Sequence, residues 1–193
     1  WNRGGQVSAA DVTRLDVPGF ETQFQRGAVG VDVADVDGDG RPELILATRL
    51  GIEIRRADAL DRAAVLPLQF AMRVEAADLT GDGRPDLLVS VYMNEATYDV
   101  PSRIYWNGPD GFAAERWTSL PSAGVMGITA GDLDGDGRRE GIGNVTMQGP
   151  TSTWREFPAF VYPGGPDRDF DPARRLVIPS AGEVYAYAIA DVD

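Results

Sequence analysis

The 193-residue chain contains no cysteine, no histidine and no lysine, and all 18 of its basic residues are arginine. Without cysteine there is no disulfide framework and no thiolate for catalysis or for zinc. Without histidine the chain lacks the commonest general base, the Ser-His and Cys-His nucleophile pairs, and imidazole metal ligation. No apolar run approaches the roughly 18 residues needed to cross a bilayer as a helix, so membrane insertion is not expected. A formal charge of −12 with no basic stretch argues against nucleic acid and anionic membrane surfaces as partners. The chain begins at Trp1 without a methionine, so any signal peptide is expected to have been removed or never included.

What is present is globular and rich in turns. Hydrophobic residues make up 43% and charged residues 25%, with 23 glycines and 13 prolines. Many turns between Val, Ile and Tyr runs favour an all-β protein. The sequence also repeats. "VDVADVDGDGRPELIL" (31–46) returns as "VEAADLTGDGRPDLLV" (74–89) and as "ITAGDLDGDGRREGIG" (128–143), and a fourth copy opens at "YAIADVD". Pro67 and Met72 fall over Pro121 and Met126 in the flanking segments, and "LPSAG" (120–124) returns as "IPSAG" (178–182). Each unit reads as short strands: "VGVDVA", "ELILAT" and "GIEIRR" in the first; "RVEAAD", "DLLVSVYM" and "SRIYWNG" in the second; "GITAGD" and "FPAFVYP" in the third. Four strands in about 40 to 60 residues is the size of a β-propeller blade. The expected fold is therefore a partial β-propeller of three to four four-stranded blades, one segment over 1–193, with units near 25–66, 67–120, 121–178 and a truncated 179–193.

The acidic loops carry the chemistry. Counting from Asp35, carboxylates occupy positions 1, 3, 5 and 9: Asp35, Asp37, Asp39 and Glu43. Alternate residues of a tight loop can point inward together, Gly40 permits the turn, and Arg41 at position 7 can offer its backbone carbonyl. Crowded carboxylates repel one another unless a cation lies between them, and an all-oxygen cage of this size suits Ca²⁺. The second loop supplies Asp78, Thr80, Asp82, Arg84 through its carbonyl, and Asp86; the third supplies Asp132, Asp134, Asp136, Arg138 through its carbonyl, and Glu140. Thr80 replaces a carboxylate, so the second site should be the weakest of three complete Ca²⁺ sites. Asp191 and Asp193 hold positions 1 and 3 of a fourth loop whose positions 5, 7 and 9 lie beyond this chain. An EF-hand needs a Glu at position 12 on an exiting helix, but Leu46, Val89 and Gly143 stand there within β-type sequence.

The pattern D-x-D-x-D-G-x-x-D/E between strands resembles the FG-GAP and VCBS repeats of integrin α-subunit propellers, of a fungal seven-bladed lectin and of many secreted bacterial proteins. The resemblance runs from about residue 25 to the end of the chain. It implies Ca²⁺ held in β-hairpin loops by the residues just named, a parent ring of seven blades, and a secreted, cell-surface or periplasmic setting. The string "FG-GAP" itself is absent, with "GPDGF" its nearest approach. Three units and a fragment fall short of a ring, so the open ends are expected to be covered by the remainder of a longer propeller or by another chain.

A catalytic site is not expected. Glu95, Asp99, Glu115, Glu156 and Glu183 form no motif that would pair two carboxylates, and they read as solvated surface charges. Among the aromatics Tyr105, Trp106, Trp117, Trp154 and Tyr162, blade packing is the expected use, with Trp106 beside the "NGPDG" turn the best candidate for an exposed ligand contact. The leading functional expectation is a non-enzymatic, Ca²⁺-stabilised segment for extracellular adhesion or ligand recognition, with a protein or glycan as partner. The alternatives are a carbohydrate-binding, lectin-like module and an accessory propeller of a larger extracellular enzyme.

Overall fold

The computed structural model describes residues 30–144, 158–165, 170–179 and 189. Within these, three four-stranded antiparallel sheets follow one another along the chain. The first holds β1 (Gly30–Ala34), β2 (Glu43–Ala47), β3 (Gly51–Arg56) and β4 (Arg62–Pro67). The second holds β5 (Ala71–Ala77), β6 (Asp86–Val91), β7 (Ser102–Tyr105) and β8 (Trp117–Leu120). The third holds β9 (Ile128–Gly131), β10 (Glu140–Asn144), β11 (Ala159–Tyr162) and β12 (Leu176–Ile178). Each strand pairs with its neighbours in sequence, so every sheet is a simple meander with the form of a propeller blade. One 3₁₀ turn, Pro172–Arg174, is capped by the Asp171 side chain, which accepts from the Ala173 N–H at 2.9 Å. No helix among the described residues is long and apolar enough to cross a membrane.

The first-to-second connection has the same length in every sheet: 35–42, 78–85 and 132–139, eight residues each. The other connections vary. Residues 48–50 join β2 to β3, whereas 92–101 join β6 to β7; residues 57–61 join β3 to β4, whereas 106–116 join β7 to β8. Because the strands alternate in direction, each acidic loop shares an end of its sheet with the third-to-fourth connection.

The first strands β1, β5 and β9 lie beside one another, and the sheets pack face to face from there outward. Ile45, Ile52, Ile54, Leu66, Val74, Leu87, Val89 and Tyr105 fill the space between the first and second sheets. Leu79, Leu88, Ile104, Trp106, Leu120, Phe160 and Tyr162 fill the space between the second and third. Strand β6 therefore sends Leu87 and Val89 to one core and Leu88 to the other, which explains why "DLLVSV" is buried throughout. Fully burying each such side chain contributes about 1.5–3 kcal/mol.

Polar bonds repeat between sheets. The Ala76 N–H donates to Asp32 Oδ2 (2.7 Å), and the Ala130 N–H donates to Glu75 Oε1 (3.0 Å). Asp32 and Glu75 stand three residues before their acidic loops, so one blade-to-blade bond recurs at one repeat position. The Tyr105 hydroxyl donates to the Pro67 carbonyl (3.0 Å), and the Tyr162 hydroxyl makes the matching bond to the Pro121 carbonyl. Burial pushes the Tyr162 phenol above its usual range, with Arg175 opposing, which keeps the hydroxyl available as a donor.

In β3 Glu53 and Arg55 are buried and pair at 2.6 Å, so the strand is covered on both sides although its apolar and polar residues alternate. Trp106, the candidate for an exposed contact, instead takes the blade-packing use expected of the aromatics: it is 3% exposed and donates its indole N–H to Thr118 Oγ1 at 2.9 Å. Its ring lies 5.6 Å from that of Phe170, inside the second core. Tyr105 and Tyr162 are buried as well, whereas Trp117 is exposed with the Arg103 guanidinium 4.0 Å above its ring. Trp154, Glu156 and Glu183 lie outside the described residues.

Candidate metal centre

The three acidic loops adopt one backbone. Glycines at positions 4 and 6 have positive φ in each: 78° and 83° at Gly38 and Gly40, 76° and 85° at Gly81 and Gly83, 75° and 84° at Gly135 and Gly137. A side chain is disfavoured in this left-handed region, so the Gly-x-Gly spacing follows from the turn. The position 1 carboxylate ties the turn together. Asp35 Oδ1 accepts from the Gly38 N–H (2.7 Å) and Oδ2 from the Gly40 N–H (2.8 Å). Asp78 accepts from Gly81 and Gly83 (2.7 and 2.8 Å), and Asp132 from Gly135 and Gly137 (2.7 and 2.9 Å).

The position 5 carboxylates each accept the N–H of position 7: Arg41 to Asp39 (2.8 Å), Arg84 to Asp82 (2.9 Å) and Arg138 to Asp136 (2.8 Å). The arginine side chains point differently. Arg84 and Arg138 fold back onto Asp82 and Asp136 (2.9 and 3.5 Å), while Arg41 pairs with Asp58 at 3.1 Å. These pairs are exposed, and such pairs contribute little to stability.

Position 9 is the buried end of the constellation. Glu43, Asp86 and Glu140 open β2, β6 and β10 and are at most 5% exposed. Each accepts the N–H of position 2: Val36 to Glu43 (3.0 Å), Leu79 to Asp86 (3.3 Å) and Leu133 to Glu140 (2.7 Å). Burial pushes the Glu43 carboxyl above its ordinary range; the Val36 N–H opposes this, and the charges of Asp37, Asp35 and Asp39 add to it. A cation beside these groups would remove that cost.

Side-chain oxygens of Asp35, Asp37 and Asp39 lie within 4.8 Å of one another, and so do those of Asp132, Asp134 and Asp136. Oxygens sharing one Ca²⁺ at 2.3–2.6 Å are separated by about 5 Å at most, so both clusters fit a single hard cation. In the second loop Asp78 and Asp82 are accompanied by Thr80, whose hydroxyl lies 3.5 Å from Asp78 Oδ1. Asp191 and Asp193 lie outside the described residues. The Gly-x-Gly spacing at positions 4 and 6 stands in all three copies of the sequence; the blade-to-blade bonds of Asp32 and Glu75 have no such signal.

Fold and loops together define the class: blade-like four-stranded meanders, each with an eight-residue acidic loop between its first two strands. Residues 78–140 match the family model of the FG-GAP-like repeat, spanning the second loop, the rest of the second sheet and the third loop as far as Glu140. The chain thus carries an FG-GAP-type repeat. No curated protein matches the chain.

Proposed function

We propose that this chain is a Ca²⁺-binding segment of an FG-GAP-type propeller that serves adhesion or ligand recognition outside the cytoplasm and performs no chemistry of its own. The carrying observation is the convergence of Asp35, Asp37 and Asp39, repeated at Asp132, Asp134 and Asp136, within the span one hard cation requires. Asp35, Asp37, Asp39, Glu43 and the Arg41 carbonyl would hold the first ion, with the corresponding residues of the other loops holding the second and third. The bound ion would cancel the repulsion among the carboxylates and lock the loop. Ions held this way stabilise a fold rather than act as Lewis acids. Extracellular Ca²⁺ is abundant enough for such exposed sites, which supports a secreted, cell-surface or periplasmic setting. The parent would be a seven-bladed ring, with the outer blades of this segment covered by the rest of it or by another chain.

A second reading, a carbohydrate-binding module, draws its support from Trp117, an exposed indole beneath Arg103. Calorimetric titration of chelator-treated protein with Ca²⁺ tests the leading reading. Three bound ions with Mg²⁺ unable to displace them would support it, and an absence of heat at millimolar Ca²⁺ would refute it. Binding to a glycan array that is lost in Trp117→Ala would favour the second.

A further inference from the structure

Asn107 follows β7 by two residues, is 1% exposed, and touches two acidic loops at once. Its Nδ2 donates to the Val36 carbonyl of the first loop (2.7 Å) and to the Pro85 carbonyl of the second (3.1 Å). Its backbone N–H donates to Oδ1 of Asp86, position 9 of the second loop (2.8 Å), while its own Oδ1 accepts from Gly108 (3.0 Å). Val36 stands between Asp35 and Asp37, and its N–H holds Glu43 Oε2. One buried amide therefore connects the position 9 carboxylate of one loop to the position 9 carboxylate of the other through Val36.

We infer that Asn107 couples the first two cation sites, so that filling the second loop raises the affinity of the first. The inference rests on the Ca²⁺ reading proposed above. An ion in the second loop fixes Pro85 and Asp86, and these fix Asn107. Asn107 then holds Val36 where Asp35, Asp37 and Glu43 converge. By reciprocity, the first ion strengthens the second by the same factor.

The molecule holds its own control. Register places Leu87 opposite Tyr105 and Gly141 opposite Tyr162, so Gly164 takes the place of Asn107 in the third sheet. A Cβ on Gly164 would lie 2.7 Å from the Arg139 carbonyl, so the backbone itself fills that space. No side-chain amide joins the second loop to the third at this position.

The test follows Ca²⁺ binding in the intact 193-residue chain by NMR, with the Gly40, Gly83 and Gly137 amides as separate reporters of the three loops. Asp82→Ala, which disables the second loop, should weaken the first loop about 5- to 10-fold and leave the third within twofold. In an Asn107→Ala or Asn107→Asp background the same substitution should change the first loop by less than about twofold. Equal weakening of the first loop with and without Asn107, or equal weakening of the first and third loops, would overturn the coupling while leaving the ion sites standing. No Ca²⁺ response at any of the three glycines in the unaltered chain would remove the ion reading and the coupling together. A measurement with Asn107 in place guards against misfolded variants. In Asp39→Ala, whose first loop cannot close on an ion, added Ca²⁺ should still slow hydrogen exchange at the Val36 amide. Unchanged exchange there would overturn the coupling.

Discussion

The first and second acidic loops share a backbone but differ in how they complete it. Their glycine φ values agree within a few degrees although Asp37 in one is Thr80 in the other. In the first loop the Asp39 N–H donates to Asp37 Oδ1 (3.0 Å). Thr80 has no carboxylate to offer, so the Asp82 N–H turns to Asp78 Oδ1 (3.2 Å), which also accepts from Thr80 (3.3 Å) and Gly81. The turn survives by loading one oxygen with three backbone donors. Since a carboxylate oxygen has about two lone pairs, Asp78 Oδ1 has less left for an ion. Position 1 and the two glycines thus set the shape of the loop, and under the Ca²⁺ reading proposed above position 3 would set how well that shape holds a cation.

Removing Ca²⁺ should have the largest effect on this comparison. Each site filled at a hundred times its dissociation constant stabilises the native state by about 2.7 kcal/mol. Melting in chelator should therefore occur well below melting in Ca²⁺, and coincident melting curves would contradict any structural role for the ions. Next come Asp35→Ala and Asp78→Ala. Each deletes the acceptor of both glycine bonds, so each should lose about 2 kcal/mol in urea unfolding even with chelator present. A loss in one loop alone would show that the two do not share a frame. Smaller is the exchange of position 3: Asp37→Thr should weaken the first site about tenfold and Thr80→Asp strengthen the second by a similar factor, about 1.4 kcal/mol each way. Site-resolved titration decides it, since unchanged affinities would mean that position 3 does not touch the ion. Least of all, Glu95→Ala, an exposed carboxylate outside the loops, should leave stability within about 0.5 kcal/mol with or without Ca²⁺.

Much of this frame was legible in the sequence, because the loops repeat and the strands that flank them are apolar. Strands β1, β2, β5, β6, β9 and β10 all border an acidic loop, and each reads as β-rich except β10, where "EGIGN" carries two glycines that suppress the signal. The outer strands β4, β8 and β12 were not singled out. They are edge strands, β8 and β12 only four and three residues long, whose sequences, such as "WTSL", show no sustained alternation. Blade packing is the expected use of Trp106 and the structure buries it, but a lone aromatic beside a turn does not reveal which face it takes, which is why the sequence alone also leaves it a candidate contact. Asn107 and Val36 are 71 residues apart, and neither carries a motif that would join them. Spacing alone marks the position 9 carboxylates as candidate ligands; the structure adds that they are buried and each hold the N–H of position 2.

The constant eight-residue length of the acidic loops has a consequence for how such a chain can change. A single insertion there would shift the glycines out of register with the position 1 carboxylate and lose both bonds that close the turn. The connections at 48–50 and 92–101 show the opposite tolerance, differing severalfold in length between neighbouring sheets. Closing a longer connection costs only about 0.6 kcal/mol per doubling. Diversity of sequence can therefore accumulate in the connections while the acidic loops themselves stay fixed, and a foreign peptide inserted between the exposed Glu95 and Ala96 would leave the buried Val100 of that connection in its core.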